Sequence, residues 1–153
     1  MDIFLLLLLI LLNGVLAMSE IAVVSSRKSR LQKLADDGSP GAKSALELSN
    51  EPSGFLSTVQ VGITTVGILS GAIGENALAE PLTHWLSSFS VLEPYARGFS
   101  LTLVVIGLTY FSVVVGELVP KRLGLLAPET IAALIATPMN VLARVTRPLV
   151  WLL

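Results

Sequence analysis

Three runs of polar residues interrupt the apolar stretches of this 153-residue chain, and chemistry would have to happen there. One is Val115-Gly116-Glu117-Leu118-Val119-Pro120-Lys121. Pro120 has no N–H for the carbonyl of Gly116 and its ring clashes with that group, so a helix is expected to kink or end there. The Gly116 carbonyl would be freed beside the Glu117 carboxylate. Lys121 follows Glu117 by four residues, the spacing of a helical Glu–Lys pair. A neutralised pair at a helix end is the plainer account, but it leaves Pro120 without a purpose. An ionisable group inside a span costs about 2.5–3.5 kcal/mol on insertion scales, which marks Glu117 as a functional candidate.

The first apolar stretch holds Asn13-Gly14 and Ser19-Glu20. Asn13, Leu16, Ala17 and Glu20 share a stripe by i, i+3, i+4, i+7 spacing. Gly14 and Ala17 suit close helix packing, with Asn13 as an interhelical hydrogen-bonding residue. Glu20 would snorkel at the helix end and pair with Arg27 or Lys28. The second stretch, Gly54 to Glu75, is rich in Gly, Ser and Thr. Its glycines suit either tight packing or a broken helix whose freed carbonyls line a polar cavity. Thr64, Thr65 and Ser70 would add hydroxyls. The combined donor set is oxygen only, which suits a hard cation, Mg2+ above all, or Na+. Ca2+ and Mn2+ accept the same donors, and a proton or organic-cation path is chemically open.

The elements that must position these groups are membrane spans. Hydrophobic residues make up 53% of the chain and charged ones only 14%, against about 25% in a soluble domain. Stretches at about 3–24, 55–73 and 99–119 are each near the roughly 20 residues needed to cross a bilayer. Met1 to Leu12 lacks the basic start of a signal peptide and reads as part of a retained helix. Residues 25–50 have helical periodicity broken at Gly38-Ser39-Pro40-Gly41, and their basic half suits contact with anionic lipid. The segment 131–153, with Pro138, Arg144, Arg147 and Pro148, suits an interfacial helix better than a fourth span. Lys and Arg cluster after the first and third stretches, which puts the N-terminus outside and the C-terminus in the cytoplasm. The expected fold is therefore an all-α membrane protein of three transmembrane helices with juxtamembrane helices at about 25–50 and 125–153.

Other classes fall away. There is no cysteine, and His84 cannot build a zinc site alone. A net charge of −1 gives no case for nucleic-acid binding. No nucleophile–base pairing or phosphate loop points to an enzyme.

Three ordered motifs resemble one family. Asn13-Gly14 with Ser19-Glu20 and the basic exit Arg27-Lys28-Ser29-Arg30 resembles the first span of the CorC/CNNM (hemolysin-C-like) membrane domain. Thr58 to Leu69 resembles its second span, and Gly116-Glu117 with Pro120-Lys121 its third-span signature. The resemblance implies a homodimeric Mg2+ exporter of the inner (plasma) membrane, often proposed to use inward Na+. It implies an ion held by Ser19, Ser70, Glu117 and the carbonyls of Gly67 and Gly116, with Asn13, Glu20, Pro120 and Lys121 in support. It also implies cytoplasmic CBS domains that bind ATP, outside residues 1–153. Many relatives have Asn at Gly67, and several eukaryotic ones have Ser near Ala17. Polyamine or other organic-cation export, known among some bacterial relatives, and a non-transporting Mg2+-sensing scaffold are the rival readings.

Overall fold

The computed structural model describes residues 1–89 and 91–152, with side chains through residue 146 apart from residue 90. Leu153 and the side chains of Arg147 and Pro148, expected to interrupt the last helix's apolar pattern, lie outside the described residues. Every regular element described is helical. The helices are α1 (Asp2–Ser25), α2 (Lys28–Asp36), α3 (Pro40–Asn50), α4 (Pro52–Gly74), α5 (Glu80–Ser87), α6 (Ala96–Val113), α7 (Val119–Leu126) and α8 (Pro128–Leu152). A π-helical turn at Glu75–Ala79 joins α4 to α5, and another at Val114–Leu118 joins α6 to α7.

Three continuous stretches are long and apolar enough to cross a membrane: Asp2–Ser25, Pro52–Ser87 and Glu93–Leu126. The second has 36 residues and the third 34, longer than the apolar segments at 55–73 and 99–119. At 1.5 Å per residue these are roughly 50 Å long, against a hydrocarbon core of about 30 Å, so they carry on beyond it. α1 turns one stripe inward, with Leu6, Ile10, Asn13, Ala17 and Ala22 buried, while Phe4, Leu8, Leu11 and Val15 stay exposed. That apolar exterior is what a hydrocarbon solvent demands.

The core sits at the foot of the spans. Leu16, Val23, Leu31, Leu48, Phe55, Val59 and Ile135 form one cluster drawn from α1, α2, α3, α4 and α8. The punctuation at Gly38 to Gly41 works as the residue types dictate. Gly38 takes φ +94°, which an L side chain resists, and the Ser39 hydroxyl accepts the Ala42 N–H at 3.3 Å. α8 runs unbroken through Pro138 and buries Ala132, Ala136 and Met139. Glu129 at its start is 9% exposed, accepts the Arg27 backbone N–H at 3.3 Å, and faces Arg30 at 3.9 Å. This ties the start of α8 to the α1–α2 junction. α6 differs from the other spans, since it buries only Ala96 and Ser100. α1 meets the third span through the π-turn and α7 instead.

The α3–α8 contact depends on Gly41, where an added Cβ would fall on the carbonyl oxygen of Ala133. Backbone there cannot step aside cheaply. Gly41→Ala should destabilise the fold by about 1–3 kcal/mol, the usual range for overpacking. Gly54→Ala, with open space around its Cβ, should be neutral or slightly stabilising. Thermal unfolding of the two variants in detergent checks the opposite signs.

Candidate functional site

The site begins with a missing donor. Pro120 cannot bond to the Gly116 carbonyl, and of the two expected responses, a kink or an end, the helix does not end there. It inserts the π-turn, in which Val119 N–H donates to Val114 O, five residues back. The widened register absorbs the proline and lets α7 continue to Leu126. The Gly116 carbonyl is available to side chains, as anticipated. Asn13 Nδ2 of α1 donates to it at 3.0 Å, with both residues buried. The freed oxygen therefore receives an amide in this structure.

Close packing makes that bond possible. A Cβ on Gly14 would lie 3.0 Å from Pro120 Cγ, and one on Gly116 would lie 3.3 Å from Asn13 Nδ2. A Cβ on Gly124 would lie 2.5 Å from Ile21 Cγ2 and 3.0 Å from the Met18 carbonyl. Small residues on both helices let the backbones approach, as at tight membrane helix crossings.

One turn further along, three charges meet. Lys121 Nζ lies 2.8 Å from Glu117 Oε1, the expected i, i+4 pair, and 3.5 Å from Glu20 Oε2 on α1. Glu20 therefore pairs with Lys121, and the expected partners are engaged elsewhere: Lys28 Nζ donates to Asn50 Oδ1 at 3.0 Å, and Arg27 presents its backbone to Glu129. The reason is helical phase. Glu20 shares the Asn13–Ala17 stripe that packs on α7, whereas the chain turns away at Ser26, in extended conformation, before Lys28.

The other predicted ligands fall in two places. Ser19 is fully buried and its hydroxyl donates to Leu16 O at 2.6 Å, within its own helix. Gly67 and Ser70 line a cavity of about 410 Å3 between α4 and α6, with Gly71, Glu75, Thr109 and Ser112. The described lining of this cavity does not include Ser19, Gly116 or Glu117. The glycines of α4 do not break it. The helix stays regular to Gly74, because breaking it within hydrocarbon would strand N–H and C=O groups. Gly67 thus contributes space, with nothing within 4 Å of where a Cβ would be. Of the threonines, Thr65 turns its hydroxyl back to Val61 O at 2.8 Å, and Thr64 is exposed. Among the described residues, no three His, Cys, Asp or Glu side chains gather to hold a metal.

Sequence reasoning missed Thr109, Ser112 and Glu75 on the cavity wall, and the reach of Lys121 to α1. Hydroxyls at i, i+3 inside the third span were the signal for the first two. The bridge from Lys121 to Glu20 had no signal in spacing, since it joins residues a hundred positions apart.

Residues 4–153 match the family described as the Cyclin M transmembrane N-terminal domain, CNNM. The chain belongs to the CNNM family. It is 48% identical over its whole length to a UPF0053 protein, sll0260, of Synechocystis, covering 34% of that protein. It is 35% identical over 99% of its length to a polyamine export protein of Salmonella typhimurium, and 34% identical over 95% of its length to UPF0053 protein YrkA of Bacillus subtilis. Each match covers 34% of the relative, so the chain spans about a third of the curated proteins it resembles. The CNNM domain is thus a helical domain with three stretches long and apolar enough to cross a membrane.

The bond from Asn13 to Gly116 gives a direct test of this geometry. Asn13→Leu keeps the branched heavy-atom shape, with somewhat more volume, and removes the donor. It should destabilise the α1–α7 packing by about 0.5–1.5 kcal/mol, the range found for interhelical hydrogen bonds in membranes. Thermal unfolding in detergent measures it, and an unchanged midpoint would remove the bond from the account.

Proposed function

We propose that this CNNM domain is the membrane part of an exporter of organic cations of the diamine class. The observation that carries this reading is the seat of Lys121, a primary ammonium held by Glu117 and Glu20 from two helices. A carboxylate pair that accepts one alkylammonium has the chemistry to accept another. The polyamine export proteins that are 35–36% identical to this chain support the same substrate class.

Export of Mg2+, coupled to Na+ entry, is the second reading. It is favoured by the hydroxyls of Ser70, Thr109 and Ser112 and the carboxylate of Glu75, which give the α4–α6 cavity an oxygen-only set of polar side chains. On that reading Gly116 O would have to exchange its Asn13 amide for the ion, and Ser19, whose hydroxyl oxygen keeps a free lone pair, would join it. We place the N-terminus outside and the C-terminus in the cytoplasm of the inner (plasma) membrane, from the Lys and Arg distribution. A homodimer, with ATP bound only by cytoplasmic CBS domains of the longer protein, accompanies either reading.

Glu117 is the residue the first reading needs, since a cation leaving water requires a compensating charge, whereas the α4–α6 cavity of the second has Glu75 on its wall. In cells lacking their own exporters, the full-length protein should speed efflux of loaded cadaverine. Glu117→Gln should cut that efflux roughly tenfold or more, the effect of losing one close opposite charge. Loading with Mg2+ in parallel separates the readings. Faster Mg2+ efflux with unchanged cadaverine efflux would replace the first by the second.

A further inference from the structure

Lys121 adds a charged link between elements that the Asn13–Gly116 bond also joins. It belongs to α7, and its ammonium lies between Glu117 in the preceding π-turn and Glu20 on α1. Its side chain is 32% exposed, and those of the carboxylates are 29% and 38% exposed, so the cluster is accessible from outside the protein. Asn13 supplies an independent observation. It is 7% exposed and spends its Nδ2 on Gly116, the residue before Glu117, while its Oδ1 is buried without a partner. Asn13 Oδ1 is thus an orphaned buried acceptor on α1, two turns before Glu20. At Lys121 itself two carboxylates stand against one ammonium, so negative charge is in excess there.

The charge count of this cluster bears on what it could take up. With Lys121 seated, the carboxylate pair carries net −1; with Lys121 withdrawn it carries −2. We propose that Lys121 is a built-in competitor of the cargo, which holds Glu20 and Glu117 when the site is empty and is displaced by a cation carrying two positive charges. This rests on the reading of the chain as a cation exporter, and names the residue that sets its charge selectivity.

Three physical points support it. Ion pairs this exposed are weak, so Lys121 can leave without large loss. Its four-carbon stem is long and flexible enough to carry the ammonium to the interface. An empty carrier with two bare carboxylates side by side would be disfavoured by their mutual repulsion, and the seated ammonium relieves half of that charge. A monocation compensates one charge and leaves Lys121 on the other carboxylate. A diamine with both ends protonated, or a divalent metal ion, compensates both and frees Lys121. Departure of Lys121 also removes its link between α7 and α1, so binding biases how these helices pack.

The test uses the full-length protein purified in detergent, with cadaverine, pentylamine and Mg2+ as separate probes. Calorimetry first establishes which probe binds wild type in a manner abolished by Glu117→Gln. If neither cadaverine nor Mg2+ does, the exporter reading fails and this proposal falls with it. For the probe that binds, Lys121→Gln should tighten binding roughly tenfold, because a competing charge is gone. The preference for cadaverine over pentylamine should grow, because pentylamine displaces no lysine in the wild type, and transport in proteoliposomes should slow. Lys121→Arg should restore wild-type affinity. Wild-type protein carrying 13C-dimethylated lysines gives a readout independent of any variant's folding. The Lys121 signal, assigned by its loss in Lys121→Arg, should shift on adding the doubly charged probe and stay put with pentylamine. Binding by wild type with an unmoved Lys121 signal, or unchanged or weaker binding by a normally folded Lys121→Gln, would overturn the proposal and leave the exporter reading intact.

Discussion

One absent hydrogen-bond donor organises the functional half of this domain. Pro120 has no N–H, and the bond it cannot make would have been to Gly116. In hydrocarbon an unpaired carbonyl costs several kcal/mol, so the chain must answer it locally. It does so twice. The π-turn at Val114–Leu118 shifts the backbone register past the proline, and Asn13 of α1 brings an amide to the exposed oxygen at 3.0 Å. The second answer requires α1 and the third span to lie within reach, and Gly14, Gly116 and Gly124 permit that approach. Glu20 follows Asn13 by two turns on α1, and Lys121 follows Pro120 directly. Their meeting is a consequence of the same crossing.

The two halves of the molecule are held by different means. At the foot, α2, α3 and α8 wrap α1 and α4 with an apolar cluster and a clamp from Glu129 to the Arg27 backbone. Toward the other end, α6 buries little, and a cavity opens between it and α4. The charged cluster lies on the side of the third span that does pack, through the π-turn and α7. Burial within the chain is thus concentrated at the foot of the spans, and α6 contributes little to it.

Much of this was legible in the residues. Composition and run length gave three spans, and Gly38 to Gly41 gave the break between α2 and α3. The pairing of Glu117 with Lys121 followed from spacing alone. The proline argument found a carbonyl released from the helix and expected a kink or an end; the helix does not end but passes the proline through a π-turn. A π-turn costs less than an end inside a membrane, and no local pattern of side chains announces it. The second-span glycines invited a broken helix for the same reason, and the helix stayed whole because no water is available to replace its bonds.

By itself the sequence determined what each segment is. Hydrophobic length, proline, glycine and i, i+4 spacing are local properties, and local physics reads them. Only the tertiary structure decided which groups share a site. It gave the Gly116 carbonyl to Asn13 and set Glu20 on Lys121. It also placed Gly67 and Ser70 on a cavity whose described lining omits Glu117. These depend on the phase and crossing of helices a hundred residues apart, which are set by the packing of small side chains and not by any spacing along the chain. Glu117 ends up paired with Lys121, whose ammonium also reaches Glu20 on α1.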